Sequence, residues 1–395
     1  MNTRLLFLKW VFGLIAGLGI VPISTVHASG DVAAWGAYFD LTFGAEQFRP
    51  MYVPVGLTNV IGISGGYNHA VALKADGTVA AWGWDSGGQT TVPASVSNIV
   101  SISAGWGYSL ASRSNGTVVG WGTFSGTGPM VPSGLSNIAA VAAGGLYFGG
   151  ALKTDGTVTT WGGNVYGPPV PPPGLSNVIS LSAGYAHVLA LRDDGSVVAW
   201  GVNGAGQATN VPAGLSRVVK VAAGNSHSLA LRSDGTVAGW GNGPAANVPA
   251  GLSNVVSIAA GYYHSMAIKS DGTVVAWGAG TNYVSDVSST DKGQCLVPAG
   301  LSNTFSIAGG LSFSLVLTNE SGAPSVQLAN PIRDSTGFNV SLSTQFGRVY
   351  VLEYKDSLEE TNWLALPLAA GNGSMMTLTD SPATNSQRFY RVRQW

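Results

Sequence analysis

Four histidines, His69, His187, His227 and His264, are the residues of this chain best suited to chemistry. An imidazole can move a proton near neutral pH or ligate a metal, and Ser226 sets a hydroxyl beside one of them. All four, however, fill one position of a recurring motif, Ala-Gly-x-x-His, where Tyr108, Tyr147 and Phe313 stand in the other copies. A metal site needs ligands converging on one point, whereas residues repeated along the chain are spread over whatever the repeat builds. They read as rings buried between repeats, each with a nitrogen satisfied by backbone.

The charges divide in the same way. Lys74, Arg113, Lys153, Arg192, Arg232 and Lys269 share one register, and Asp76, Asp155, Asp194, Asp234 and Asp271 share another. They are strand-end and turn residues, and no pair of carboxylates stands out for acid–base work. Gly-x-Ser-x-Gly occurs once, at Gly62 to Gly66, inside the repeat. The glycines around Ala205 and Ala279 are turn residues, since no helix follows them to make a phosphate loop. Cys295, the one cysteine, aligns with Thr90 and reads as a strand residue rather than a reactive thiol. The expectation is a protein without catalytic residues, metal or cofactor.

The elements that carry these residues are set by a repeat. Trp-Gly occurs at Trp35, Trp82, Trp121, Trp161, Trp200, Trp240 and Trp277, at spacings of 37 to 47 residues. Upstream, a motif glycine recurs at Gly66, Gly105, Gly144, Gly184, Gly224, Gly261 and Gly310. Downstream, Val53, Val92, Val131, Val170, Val211, Val248 and Val297 each precede a proline. Within a unit, Val255 to Gly261, His264 to Lys269 and Thr273 to Gly278 alternate as short β-runs, and Asp271-Gly272 is a hairpin signal. A fourth run surrounds Val-Pro, where an edge strand tolerates the missing donor. Four antiparallel strands in ~40 residues, repeated seven times, is the pattern of a β-propeller blade. The first Trp-Gly lacks an Ala-Gly half before it, and the last Ala-Gly half lacks a Trp-Gly after it. Asp31 to Gly36 should therefore complete the blade of Phe305 to Leu317 and close the ring.

The Ala-Gly-x-x-His-Ser-Leu-Ala-Leu…Asp-Gly-Thr-Val…Trp-Gly pattern resembles the repeat of the regulator of chromosome condensation family, whose members are seven-bladed propellers. In repeat length, and in the run Gly88 to Pro93, it is similar to the secreted propeller-type β-lactamase inhibitory proteins of bacteria. The resemblance covers residues 29 to about 320. It implies a fold and a binding role.

Residues 323–395 break the repeat. Their β-like runs, at Gly337 to Leu342, Val349 to Lys355, Met375 to Thr379 and Arg388 to Val392, predict a small β-sandwich. It resembles short terminal modules of exported bacterial proteins. Residues 1–28 read as a secretory signal peptide, with Arg4 and Lys9 before an apolar run and Val26-His27-Ala28 as cleavage site. The mature chain, a propeller over 29–322 and a module over 323–395, is then expected outside the cytoplasmic membrane, secreted or in the cell envelope, with no membrane span. Only 9% of residues are charged and the net charge is −1. That leaves no basic surplus for nucleic acid.

What does not repeat points to a site. Strand direction brings the Ala-Gly-x-x-His loops and the loops after Trp-Gly to one face. The first set supplies Tyr67, Trp106, Tyr185, Tyr262 and Tyr263, and the second Tyr38, Phe39, Trp84 and Tyr283. Two loops are long: Gly36 to Val53 takes 17 steps and Gly278 to Val297 takes 19. If the ring closes, they are neighbours and add Asp40, Phe48, Arg49 and Asp286 to an aromatic centre with a polar rim. The expected function is binding of a protein partner through this face. A glycan partner or envelope attachment is the alternative, and a polysaccharide-active enzyme the least favoured one.

Overall fold

A computed structural model describes residues 27–395 apart from 30–31, 41–46, 124–130, 164–168, 283–289, 319–328, 335–336, 346, 358, 361 and 382–387. Each repeat folds as an antiparallel sheet of three strands. Blade 1 consists of Val60–Gly65, His69–Lys74 and Val79–Gly83. Blade 2 has Ile99–Ala104, Ser109–Arg113 and Val118–Trp121. Blade 3 has Ile138–Ala143, Phe148–Lys153 and Val158–Gly162. In blade 4 they are Val178–Ala183, His187–Arg192 and Val197–Gly201. Blade 5 follows with Val218–Ala223, His227–Arg232 and Val237–Gly241, and blade 6 with Val255–Ala260, His264–Lys269 and Val274–Gly278.

Blade 7 is made from both ends of the propeller. Thr304–Gly309 pairs with Phe313–Thr318, which pairs with Val32–Asp40 in the register Val32↔Leu317 to Gly36↔Phe313. His27–Ser29 adds an outer strand to it. Inner strands of successive blades are in contact around the whole circle, blade 7 against blade 1 included. The molecule is thus a seven-bladed β-propeller closed by its N-terminal strand.

Among the described residues, the expected fourth strand around Val-Pro does not form in blades 1–6. Proline removes the ladder donor there. In blade 2 the following Gly-Leu-Ser-Asn then turns the chain, with Gly134 and Asn137 both at positive φ (82° and 57°). Each blade core holds its repeat tryptophan, and all seven are buried, at 2% to 7% exposure. The bottom hairpins are fixed by their aspartates: Thr78 donates from its hydroxyl and its N–H to Asp76, at 2.6 and 2.9 Å.

The C-terminal module is a two-sheet sandwich. Ala329–Asp334, Gly337–Ser343 and Met375–Asp380 form one sheet, and Val349–Lys355, Leu364–Ala365, Ala369–Ala370 and Phe389–Gln394 the other. Val340, Leu342, Leu352, Leu378 and Val392 fill the space between them. The module sits on the hairpin end of the propeller. Leu368 N–H donates to Ser233 O, Arg393 to Ser270 O and Arg348 to Ile61 O. Val349, Val351, Leu368 and Trp395 share one apolar cluster with the propeller.

Candidate functional site

The histidines staple one blade to the next. His69 Nε2 lies 2.9 Å from Ser109 Oγ, His187 Nε2 3.0 Å from Ser228, His227 Nε2 3.0 Å from Ser265 and His264 Nε2 2.9 Å from Ser314. The partner is therefore a serine of the following blade and not backbone, as the repeat alone had implied. Ser228, Ser265 and Ser314 each donate their own proton to a loop carbonyl, of Gln207, Ala245 and Gln294. Their hydroxyls are left to accept, so these histidines carry the proton on Nε2. The repeat tryptophan donates to the same carbonyl: Trp240 to Gln207, Trp277 to Ala245, Trp35 to Gln294, at 2.8 to 3.0 Å. Burial drives the imidazoles toward the neutral form, down to about 4 for His69 and His227 and about 3 for His187 and His264. They are structural, and no metal-holding cluster of His, Cys, Asp and Glu exists among the described residues.

The connectors Gln89, Gln207 and Gln294 were not singled out from the sequence. They are buried, and each side chain accepts from the N–H two residues before it, at 2.9 Å. Their signal was the Gly-Gln pair recurring after Trp-Gly at 88–89, 206–207 and 293–294. Cys295, beside the last of them, lies in this turn rather than in a strand, because Gly293 at φ 76° bends the chain. Burial pushes its thiol up to about 12, which keeps it unreactive.

The end of the axis away from the C-terminal module carries aromatics. The motif glycines converge there, and a Cβ on Gly66 would stand 2.5 Å from Gly105 O and 2.6 Å from His69 Cε1. The next residue of one blade donates to the motif glycine carbonyl of its neighbour: Tyr67 to Gly105, Tyr185 to Gly224, Tyr262 to Gly310. That backbone contact points their rings over the channel mouth. Trp106 packs on Tyr67 (4.8 Å between centroids), Tyr185 (5.2 Å) and Tyr147 (5.9 Å). Tyr262 meets Tyr67, Tyr185 and Tyr263 edge-on at 5.5, 5.4 and 4.6 Å. Each of these rings is partly exposed. Desolvation raises the phenols of Tyr67, Tyr262 and Tyr263, and that of Tyr147 to about 12, so the patch is uncharged. Tyr147 belongs here and not in the histidine register. The blade 3 loop is one residue longer, so Phe148 takes the strand position and Tyr147 sits at φ 59° above it. A cleft of about 250 Å³ opens beside Tyr262 and Tyr263, walled by Asn225, Asn242, Pro244 and Thr290.

The two long loops touch. Phe39 and Phe48 face each other across a hairpin, centroids 5.1 Å apart, and Lys292 Nζ lies 4.0 Å from the Phe48 ring centroid. Several expected rim residues are interior instead. Asp40 is 7% exposed, held in the ladder opposite Gln47 and paired with Arg49 at 2.5 Å. Trp84 is 5% exposed, since Gly83 at φ 109° turns the chain and Trp84 N–H is held by Asn68 O. Tyr38 packs half-buried on the core. Tyr283 and Asp286 lie outside the described residues.

Sheets, staples and ring closure together define a β-propeller of seven like blades. Five stretches, 60–89, 99–125, 178–207, 218–244 and 255–283, match the regulator of chromosome condensation (RCC1) repeat, so blades 1, 2, 4, 5 and 6 carry repeats of that family. No curated protein matches the sequence. Among solved structures, Prp20p of Saccharomyces cerevisiae, described with its binding to Gsp1p and histones, is 21% identical with a TM-score of 0.55. It aligns over 74% of this chain and 92% of its own. Human WBSCR16 is 14% identical, TM-score 0.55, over 73% and 98%. The ectodomain of the receptor kinase CR4 from Physcomitrella patens is 18% identical, TM-score 0.52, over 83% and 99%. At these identities the likeness is one of fold.

Proposed function

We propose that this chain is a non-enzymatic binding propeller that docks a protein partner on its aromatic face. One observation carries the reading. The C-terminal module occupies the hairpin end of the ring, while the other end presents a continuous, uncharged patch of partly exposed tyrosines and tryptophan around the axis. Rigid aromatics with a cleft beside them are the material of interface hot spots. The motif histidines, the class of residue most able to do chemistry, are spent on stapling blades. RCC1-repeat propellers bind proteins elsewhere, as Prp20p does Gsp1p, and the low charge disfavours nucleic acid.

We read the first 28 residues as an export signal, which supports a location outside the cytoplasmic membrane. Cleavage after Ala28 would leave Ser29 as the remaining residue of the outer strand of blade 7. Immobilised full-length protein, with Trp106→Ala and Tyr262→Ala variants of matched melting temperature, tests the site against culture supernatant and a glycan array. A protein captured by the parent and lost by both variants supports it. A partner held equally by the variants sinks it, and a glycan lost by them moves the reading to carbohydrate binding.

A further inference from the structure

The inner strand of every blade presents one residue to the channel two positions after its first. In six blades that residue is small: Gly62, Ser101, Ala140, Ser180, Ser257 and Ser306. In blade 5 it is Lys220. Its ammonium donates to Ser257 Oγ at 2.9 Å. The C-terminal module brings a second cation to the same place: Arg348 borders the chamber that Lys220 lines, and its guanidinium donates to Ile61 O at 2.8 Å. Between propeller and module lies a chamber of about 480 Å³. Among the described residues its polar lining is Lys220, Arg348, Ser101, Ser306, Thr344 and Gln345, with no carboxylate.

Two cations sharing a desolvated space repel each other, and each has lost much of its hydration. Lys220 is held down to about 8, by desolvation first and by the charge of Arg348 second, and Arg348 is lowered by desolvation. Such a pair is costly in an empty chamber and favourable around an anion, where hydroxyls and a guanidinium supply charge-assisted hydrogen bonds. The volume falls in the range of small-molecule sites. Exposed Val100 at the rim opens the chamber toward solvent. We propose that this axial chamber binds a small oxyanion, a phosphate or carboxylate, between Lys220 of the propeller and Arg348 of the module. The site lies at the far end of the ring from the aromatic face and does not depend on it.

Calorimetric titration of the purified chain with sodium phosphate and with sodium citrate, at ionic strength held constant with sodium chloride, tests the proposal. Saturable binding of one ion per chain is expected for at least one of the two, and which one names the source of the oxyanion. Lys220→Ser restores the residue of blades 2, 4, 6 and 7 and keeps the fold. It and Arg348→Gln should each weaken binding at least tenfold, while Arg217→Gln, at an exposed arginine, leaves it unchanged. Circular dichroism and melting temperature of each variant report folding separately. Absence of saturable binding of both ions to the parent chain overturns the site. So does binding that survives in folded Lys220→Ser and Arg348→Gln proteins.

Discussion

His227 of blade 5 hydrogen-bonds Ser265 of blade 6 at 3.0 Å, and wherever a blade starts its middle strand with histidine the following blade answers with serine. Where the ring is Phe148 or Phe313, the answering residue is apolar, Val188 or Ala70. Where it is Tyr108, the hydroxyl reaches Phe148 O at 2.5 Å and the answering residue is Gly149. The pairing follows from burial, since an imidazole donor enclosed between blades needs an acceptor and a phenyl ring needs none.

Ser265→Ala should therefore destabilise the protein by about 1–3 kcal/mol, the cost of a buried donor left without a partner. His227→Phe with Ser265→Val, which copies the Phe148 and Val188 pair, should cost less than the sum of its single changes. Urea denaturation of the four proteins checks this. Additive single effects would mean that the two side chains do not interact.

Stability should fall on mild acidification. The folded values of the four histidines, about 3 to 4, lie below the ordinary value of 6.5. Above pH 6.5 both folded and unfolded rings are neutral and nothing is lost. As the pH drops from 6.5 toward 4 the unfolded chain takes up protons first, and each histidine removes up to about 1.4 kcal/mol per pH unit. Denaturation midpoints between pH 7.5 and 4.5 measure this. A flat profile, or one unaltered in the His227→Phe, Ser265→Val protein, contradicts it.

Deleting Val32 to Gly36 should lower the melting temperature of the whole propeller. The segment buries Val32, Ala33, Ala34 and Trp35 at 0% to 4% exposure and covers the edge of Phe313–Thr318. Without it that edge is unpaired and the ring opens between blades 7 and 1. Scanning calorimetry reads the result, and an unchanged transition would show that closure contributes nothing.

Phe48→Leu keeps apolar volume but removes the ring on which Lys292 rests. Lys292 is fully buried, so the loss should be about 0.5–2 kcal/mol, the range of a desolvated cation–π contact. Thermal melts of Phe48→Leu, Lys292→Met and the double variant would resolve a coupling. Strict additivity would show that the two loops are merely adjacent.

Blade number, ring closure and the burial of the seven tryptophans were legible in the sequence because each is a local pattern repeated in register. The same repetition identified the histidines as structural. Periodicity could not name their partners, since Ser265 lies in the next unit and meets His227 only when two sheets pack side by side. Nor could it separate surface from interior in the non-repeating loops. Trp84 and Asp40 sit among exposed-looking neighbours, and glycine dihedrals and one hairpin turned them inward. Tyr147 was misplaced by a single inserted residue, which shifts strand register without altering composition. The meeting of Lys220 with Arg348 is wholly tertiary. It arises where an axial strand of the ring faces a module whose position on the propeller is set by packing.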